Sequence, residues 1–349
     1  MADLRYDPIN DLWVAVAEVR TERPNEYRPR AEIVPLDRCP FCRGHEAETP
    51  SPIAEWDWDS ATHTLRPASV GQWLVRAIPN RYPAFSNSPA ADDDLGLRSI
   101  ATNVAPYRSA HSQHSCQELV LESARHVESY SQLNDAELFA SFFVYRQRLA
   151  AFQQNKHLRY ALLFKNCRPE AGASLAHIHS QLFGLDYVPA AAAARKKRLG
   201  RVDQVAQSLM LKRVADFEIA QGERLVAQGE DWTVVCPYAS RFGFQTWIVP
   251  RRDWGPQWRQ TDSATMELAR LVRTWTMAIE QLLDRPAYNV LFHNPPLRGK
   301  ELPGHCYIEL FARIGNVAGF EWGSNCWINT HSPEAAASTL REKFQECDW

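Results

Sequence analysis

Residues 160–183 read YALLFKNCRPEAGASLAHIHSQLF, and the rest of the chain is best understood from this stretch. It ends in an H-x-H-x-Q run, His177-Ile178-His179-Ser180-Gln181. Side chains alternate between faces in an extended segment, so we expect His177, His179 and Gln181 on one side and Ile178 on the other. Two imidazoles and an amide on one face need polar partners when they are buried. A strand with its polar side towards solvent also explains the run, so a functional interpretation depends on the remaining sequence.

The composition is that of an ordinary globular protein. The 349 residues are 45% hydrophobic and 23% charged with a formal net charge of −2, and they suffice for one large domain or two of usual size. The charge lacks the positive excess of a nucleic-acid-binding protein, and no stretch reaches the roughly 18–20 apolar residues of a membrane span. The first residues, MADLRYDPINDLWVAVAE, lack the pattern of a signal peptide. We therefore expect a cytoplasmic protein without nucleic-acid or membrane partners.

Hydrophobic periodicity predicts the elements in outline. We expect a strand pair within residues 3–18, a strand within 73–83, a long polar loop over 86–117 and a strand at 118–123. A long helix is predicted for 134–155 with Asn134 as its N-cap, and two strands flank a loop at 167–176. Residues 189–230 have a helical composition with a solvated basic cluster, and a second long helix is predicted for 262–283. Further strands are predicted at 232–236, 244–249, 288–293 and 305–313.

The key stretch has a counterpart 128 residues further along the chain. The matching pairs are Tyr160 and Tyr288, Phe164 and Phe292, Asn166 and Asn294, and His177 and His305. A fixed offset across strands and a helix indicates a duplicated unit, which we divide into residues 1–188 and 189–349. In the second copy Tyr307 replaces His179 and Glu309 replaces Gln181. The first unit is therefore predicted to carry the chemistry, and the second to complete the site or support the fold.

Two short motifs precede the key stretch. Cys39-Pro40-Phe41-Cys42 is a C-x-x-C knuckle that either binds a metal such as zinc or forms a redox pair. No helical pattern follows Cys42, which disfavours the redox alternative, and zinc would need two further ligands. Arg20 and Arg23 lie in the run RTERP, which is either a solvated loop or a clamp for an anion.

Together these motifs resemble the galactose-1-phosphate uridylyltransferase family of the histidine-triad (HIT) superfamily, over nearly the whole chain. Residues 20–24 are similar to the family's R-x-x-R-P, residues 39–42 to its metal knuckle, and residues 122–126 to the segment with its strand-end histidine. Residues 172–181 are similar to its G-x-S-x-x-H-P-H-x-Q run, with Ile178 where the family usually has proline. The resemblance implies an α+β fold of two tandem HIT-like repeats, each an antiparallel sheet with a long helix, and a homodimer.

The resemblance also implies a nucleotidyl-histidine intermediate. His179 would attack the α-phosphorus of a nucleoside diphosphate sugar and release a sugar 1-phosphate, and a second acceptor would then take the nucleotidyl group. A neutral imidazole is a competent nucleophile near pH 7. Gln181 and Ser174 would stabilise charge on the phosphoryl oxygens as neutral donors. The residues implied to bind substrate are Arg20, Arg23, Asn80, Asn166 and Glu321, the last lying in a segment similar to the family's sugar-contacting segment.

For the metal, the resemblance implies a structural zinc held by Cys39, Cys42, His126 and His177. His45, His111 and His114 are competing ligands. Glu309 and Phe311 stand near the positions where some relatives hold a second metal with histidines, so we expect no second metal.

Three functions remain open at this stage. The first is a UDP-hexose:hexose-1-phosphate uridylyltransferase of galactose metabolism, acting on a nucleoside diphosphate sugar and a sugar 1-phosphate. The second is a nucleoside diphosphate sugar phosphorylase that uses the same His179 chemistry with phosphate as acceptor, for example on ADP-glucose. The third is a zinc-stabilised nucleotide-binding protein without turnover.

Overall fold

The computed structural model describes residues 3–16, 39–85, 97–100, 109–112, 114–199, 210–252, 255–298 and 306–347. Arg20, Arg23 and His305 lie outside these residues. In the described part of the chain, no helix is both long enough and apolar enough to cross a membrane.

Eleven strands form one antiparallel sheet, which joins the two predicted repeats. These strands are β3 (Ala54–Asp59), β4 (Thr64–Pro67), β5 (Val75–Pro79), β8 (Cys116–Leu121), β9 (Tyr160–Cys167), β10 (His179–Leu185), β11 (Leu225–Gln228), β12 (Trp232–Val235), β13 (Thr246–Pro250), β14 (Tyr288–His293) and β15 (Tyr307–Ala312). Their order across the sheet is β11-β12-β13-β15-β14-β9-β10-β8-β5-β3-β4. The order is nearly symmetric about the central pair β9–β14, as a duplication requires. The predicted α+β fold with HIT-like halves is confirmed, and the two sheets are continuous with each other.

Two long helices cover one face of this sheet. Helix α1 (Asp135–Gln154) begins after the predicted N-cap Asn134, whose side chain accepts a hydrogen bond from the Glu137 amide while Glu137 bonds back to the Asn134 amide. Helix α4 (Asp262–Leu282) is its repeat counterpart, and the two pack on each other. Its N-cap is Thr261, one residue before Asp262, the position that lies 128 residues after the N-cap Asn134. Buried apolar side chains of both halves, among them Ile178 and Leu182, form one core beneath these helices.

The remaining elements lie around the large sheet. Strands β1 (Asp3–Asp7) and β2 (Leu12–Val16) form the predicted pair, and β2 also pairs in parallel with β16 (Cys326–Asn329). The first two strands of the chain therefore form a small sheet with β16, which lies near residue 326. The domain boundary near residue 188 remains a prediction. The other helices are α2 (Ala190–Leu199), α3 (Met210–Gln221), α5 (Gly319–Ser324) and α6 (Pro333–Glu346).

Two predicted segments differ from the structure. The loop predicted for 86–117 contains two antiparallel paired strands, β6 (Leu97–Ile100) and β7 (Ser109–Ser112), and its last residues begin β8. The helix predicted for 189–230 is two helices followed by β11, which pairs with β12 at the sheet edge. Its basic cluster is only partly solvated, because Arg195 is half-buried beside Asn10 and Arg198 pairs with Asp11.

Candidate active site and metal centre

Three backbone segments meet around the C-x-x-C knuckle. The knuckle is a tight turn that ends at Gly44, whose φ of +93° favours glycine, and the next amide, that of His45, donates to the Cys42 carbonyl. The Arg43 amide bonds to the Ala124 carbonyl just after β8. In the same way the Ile178 amide bonds to the Val127 carbonyl. Backbone hydrogen bonds therefore join the segment after β8 to the knuckle at Ala124 and to the residue before β10 at Val127.

These segments bring Cys39, Cys42, His126 and His177 together. Their four ligand atoms all lie within 4.8 Å of one another. The Cys42 Sγ is 3.4 Å from His126 Nδ1 and 3.6 Å from His177 Nδ1, and the Cys39 Sγ is 3.6 Å from His177 Nδ1. A tetrahedral ion with Zn–S near 2.3 Å and Zn–N near 2.0–2.1 Å separates such ligands by about 3.5 Å. Donor types and spacing therefore both suit a four-coordinate metal ion, with no open position for substrate.

The tautomer of His177 supports this interpretation. Its Nε2 lies 2.9 Å from the Ser123 carbonyl, so Nε2–H donates there and the Nδ1 lone pair faces the cysteines. Burial lowers the pKa of His177 to about 4, which keeps the imidazole neutral. The competing ligand His45 bonds to the Cys39 carbonyl through Nδ1, and His114 stacks on His157 at 4.2 Å. The side chain of His111 is outside the described residues.

His179 is the first residue of β10 and is held in one orientation. Its Nδ1 lies 2.8 Å from the His177 carbonyl, so Nδ1–H donates and the Nε2 lone pair stays available. Phe41 of the knuckle packs against the ring, edge to face, at 5.4 Å. The side chain is buried, and burial, followed by the nearby Lys165 charge, lowers the pKa of His179. A neutral, oriented imidazole with one free nitrogen has the properties of a nucleophile.

Gln181 follows on the same face of β10 and touches further polar residues. Its Oε1 accepts a hydrogen bond from Gln117 Nε2 at 3.0 Å. The Gln117 carbonyl in turn accepts from the Asn80 amide at 2.9 Å, so Asn80 lies next to this strand. Asn166 is on the neighbouring strand β9, and Ser174 is exposed in the loop between β9 and β10. Gln181 therefore lies two residues from His179 on the same strand and Asn166 on the adjacent strand, while Asn80 connects to Gln181 through Gln117.

Glu321 lies elsewhere. It is the third residue of α5, where its carboxylate accepts a hydrogen bond from the Ala318 amide at 3.0 Å. It lines a cavity of about 550 Å³ together with Arg241, Phe242, Trp327 and His331. None of the residues around His179 that the structure describes lines this cavity.

A buried network beneath His179 was not predicted from the sequence. Lys165 donates to the His179 carbonyl at 3.0 Å and pairs with Glu122 at 2.5 Å, and both side chains are almost fully buried. Glu122 also accepts hydrogen bonds from Ser180 and Tyr145. The sequence does place Lys165 on the side of β9 that carries buried apolar residues, which is unusual for a lysine. Its partners are distant in the sequence and are identified only by the fold.

Comparisons with known proteins find relatives that span nearly the whole chain. The chain is 26% identical over 347 residues to an ADP-glucose phosphorylase of Arabidopsis thaliana, covering 97% of this chain and 92% of that one. It is 24% identical over 352 residues to a galactose-1-phosphate uridylyltransferase of Thermotoga maritima, covering 98% of each. The crystal structure of the Arabidopsis phosphorylase with bound ADP-glucose superimposes with a TM-score of 0.79 at 25% identity, covering 98% of this chain and 99% of that one.

The doubled sheet, the H-x-H-x-Q strand and these relatives define a protein of the galactose-1-phosphate uridylyltransferase group within the HIT superfamily, a group of nucleotidyl-transfer enzymes. Residues 122–347 match the family described as "Domain of unknown function (DUF4921)", and the chain belongs to this family.

Proposed function

We propose that this protein transfers a nucleoside monophosphate from a nucleoside diphosphate sugar to phosphate or a sugar 1-phosphate through a covalent intermediate on His179. The free Nε2 lone pair of His179 is the observation that carries this proposal. Nε2 attacks the α-phosphorus, the bond from that phosphorus to the bridging oxygen breaks, and the electron pair leaves with the sugar 1-phosphate. The acceptor oxygen then attacks the same phosphorus and releases His179.

The surrounding residues have distinct roles in this proposal. Gln181 and Ser174 donate hydrogen bonds to the phosphoryl oxygens as charge develops on them. Asn80 and Asn166 bind the nucleotide, and Arg20 and Arg23 supply countercharge to the diphosphate. Glu321 as a sugar ligand remains a prediction, because within this chain it lines a separate cavity. A homodimer and a cytoplasmic location belong to the same proposal.

Zinc is the metal we propose for the Cys39, Cys42, His126 and His177 cluster. Bound there, it would supply structural crosslinking rather than an open catalytic position. His177 would then fix the backbone carbonyl that orients the His179 ring. The chemistry at phosphorus is carried by His179 and the neutral donors around it.

ADP-glucose with phosphate as acceptor is our first candidate for the reaction. The support is the similarity to a protein named ADP-glucose phosphorylase, both in sequence and in fold. The second candidate, uridylyl transfer between hexose 1-phosphates, is supported by the similarity to the Thermotoga enzyme over 98% of both chains. The two differ only in the nucleotide and in the acceptor that completes the cycle.

The test is the intact mass of the protein after brief incubation with ADP-glucose or UDP-glucose. We expect an acid-labile nucleotidyl adduct on the wild type, and its mass identifies the nucleotide. His179→Ala should form none, whereas His157→Ala, which alters a half-buried histidine stacked on His114, should react like the wild type. Adding phosphate or galactose 1-phosphate then shows which acceptor discharges the adduct. No adduct on the wild type with either sugar nucleotide would contradict the proposal and favour a binding protein without turnover.

A further inference from the structure

The two halves of the protein meet at the catalytic loop. Strand β14 of the second half pairs with β9 of the first, and this register sets Asn289 directly opposite Asn166. Asn289 is only 8% exposed, whereas Asn166 is half-buried. The chain leaves β9 just after Asn166 and passes through the loop 168–176 to His177 and His179. Asn289 therefore lies where the second half touches the loop that leads to the nucleophile.

Both amide hydrogens of Asn289 are used to hold this region. Its Nδ2 donates to Asn166 Oδ1 at 2.8 Å and to the Ala171 carbonyl at 2.9 Å. Asn166 in turn donates from Nδ2 to the Gly172 carbonyl at 3.2 Å. Gly172 has a φ of +96°, a left-handed conformation that favours glycine, and it lies at the point that these bonds fix. One side chain of the second half therefore connects strand β9 to the loop.

Arg168 provides an independent contact between the loop and the second half. Its φ of +70° is unusual for a residue with a side chain, and its guanidinium donates to the Pro286 carbonyl at 2.5 Å. The same group lies 3.4 Å from Glu280 of α4. The start of the loop is therefore held by the second half at more than one point, although that half has Tyr307 and Glu309 at the positions of His179 and Gln181.

We propose that Asn289 is a positioning residue for nucleotidyl transfer, acting through Asn166 and the loop that carries Ser174. The inference rests on the proposed function for its catalytic consequence. A primary amide has two donor hydrogens and two acceptor lone pairs, and the contacts described use one of each on Asn166. The remaining hydrogen and lone pair of Asn166 are then presented to a ligand in one fixed orientation. Contacts from the second half thus fix the conformation of the catalytic loop of the first half.

The isosteric variant Asn289→Asp distinguishes the effect of losing the hydrogen bonds from the effect of losing side-chain packing. Aspartate has nearly the same shape but accepts only, so it loses both bonds and places its charge against two oxygens. We expect adduct formation at saturating sugar nucleotide to slow about 10- to 100-fold, because small misplacement of reacting groups is costly. The matched control is Asn294→Ala, which removes another buried asparagine of the second half that bonds only to Gln257 among the contacts described. This control should lower the melting temperature while leaving the adduct rate unchanged.

Hydrogen–deuterium exchange supplies a readout that does not require activity. The peptide covering residues 168–176 should exchange faster in Asn289→Asp than in the wild type, and should remain protected in Asn294→Ala. Equal exchange and equal adduct rates in Asn289→Asp and wild type would overturn the inference. A wild type that forms no adduct would instead overturn the proposed function, and the exchange experiment would still decide whether Asn289 holds the loop.

Discussion

Lys165 is a charged residue in the core, and its contribution to stability depends on its ion pair with Glu122. Lys165 and Glu122 are 1% and 0% exposed, and Glu122 also accepts from Ser180 and Tyr145. Removing one member of a buried pair leaves the other uncompensated in a medium of low polarity. The network also links β8, β9 and β10 directly below the His179 carbonyl. Its integrity should therefore affect both global stability and the position of the nucleophile.

We predict that Lys165→Met lowers the free energy of unfolding by about 3–5 kcal/mol, because the Glu122 carboxylate is left buried without a cation. Urea denaturation measures this change. The control is Lys212→Met, which breaks the exposed pair with Asp216 and should change stability by less than about 1 kcal/mol. Equal effects of the two substitutions would show that Lys165 is not a buried counterion.

At the level of single residues, the sequence indicates candidate site residues but not the contacts that support them. His177, His179, Cys39 and Cys42 stand out in the sequence because their H-x-H-x-Q and C-x-x-C motifs occur together and resemble those of a known family. Asn289 was not selected, because a single asparagine in a strand has many ordinary roles. Its importance depends on the register between β14 and β9, which places it opposite Asn166. This register cannot be read from the hydrophobic periodicity of either strand.

Among the secondary-structure elements, the sequence predicts best those that occur in both copies of the repeat. Strands β9 and β10 and helix α1 recur as β14, β15 and α4, so each copy supported the interpretation of the other. Short edge strands β4 and β11 were missed, since four residues are too few to show a clear alternation. The knuckle lies between these cases. Its two cysteines are evident from their spacing, whereas His126 and His177 are indicated only by the resemblance. The pairing of β8 with β10 brings these two histidines near each other, and the Arg43–Ala124 hydrogen bond joins this region to the knuckle.

We predict that the purified protein contains about one metal ion per chain and that the knuckle depends on it. Cys42→Ser should lose the metal, measured by elemental analysis, and should lower the melting temperature, because the knuckle then loses its crosslink to His126 and His177. Cys326→Ser, which alters a half-buried cysteine of β16 outside the cluster, should keep the metal. Metal retention in Cys42→Ser would contradict the assignment of this ligand.

The whole molecule combines two copies of one unit into a single body. The pairing of β9 with β14 makes the sheet continuous, and α1 packs on α4 across the same boundary. The pairing of β2 with β16 adds a second connection between distant parts of the chain. Half a sheet cut at β9 would expose a long strand edge to solvent, which folded proteins avoid. The two halves are therefore expected to unfold together rather than as separate domains.

A destabilising change in one half should accordingly weaken both. Leu271→Ala, in α4 of the second half, removes a fully buried side chain and should cost about 2–5 kcal/mol. If the halves are one cooperative unit, slowly exchanging amides of β10 in the first half and of β15 in the second lose the same protection free energy. Leu149→Ala, the matched change in α1, should have the same effect on both strands. Hydrogen exchange under native conditions measures each strand separately. Loss of protection confined to the mutated half would show that the continuous sheet does not couple the two halves energetically.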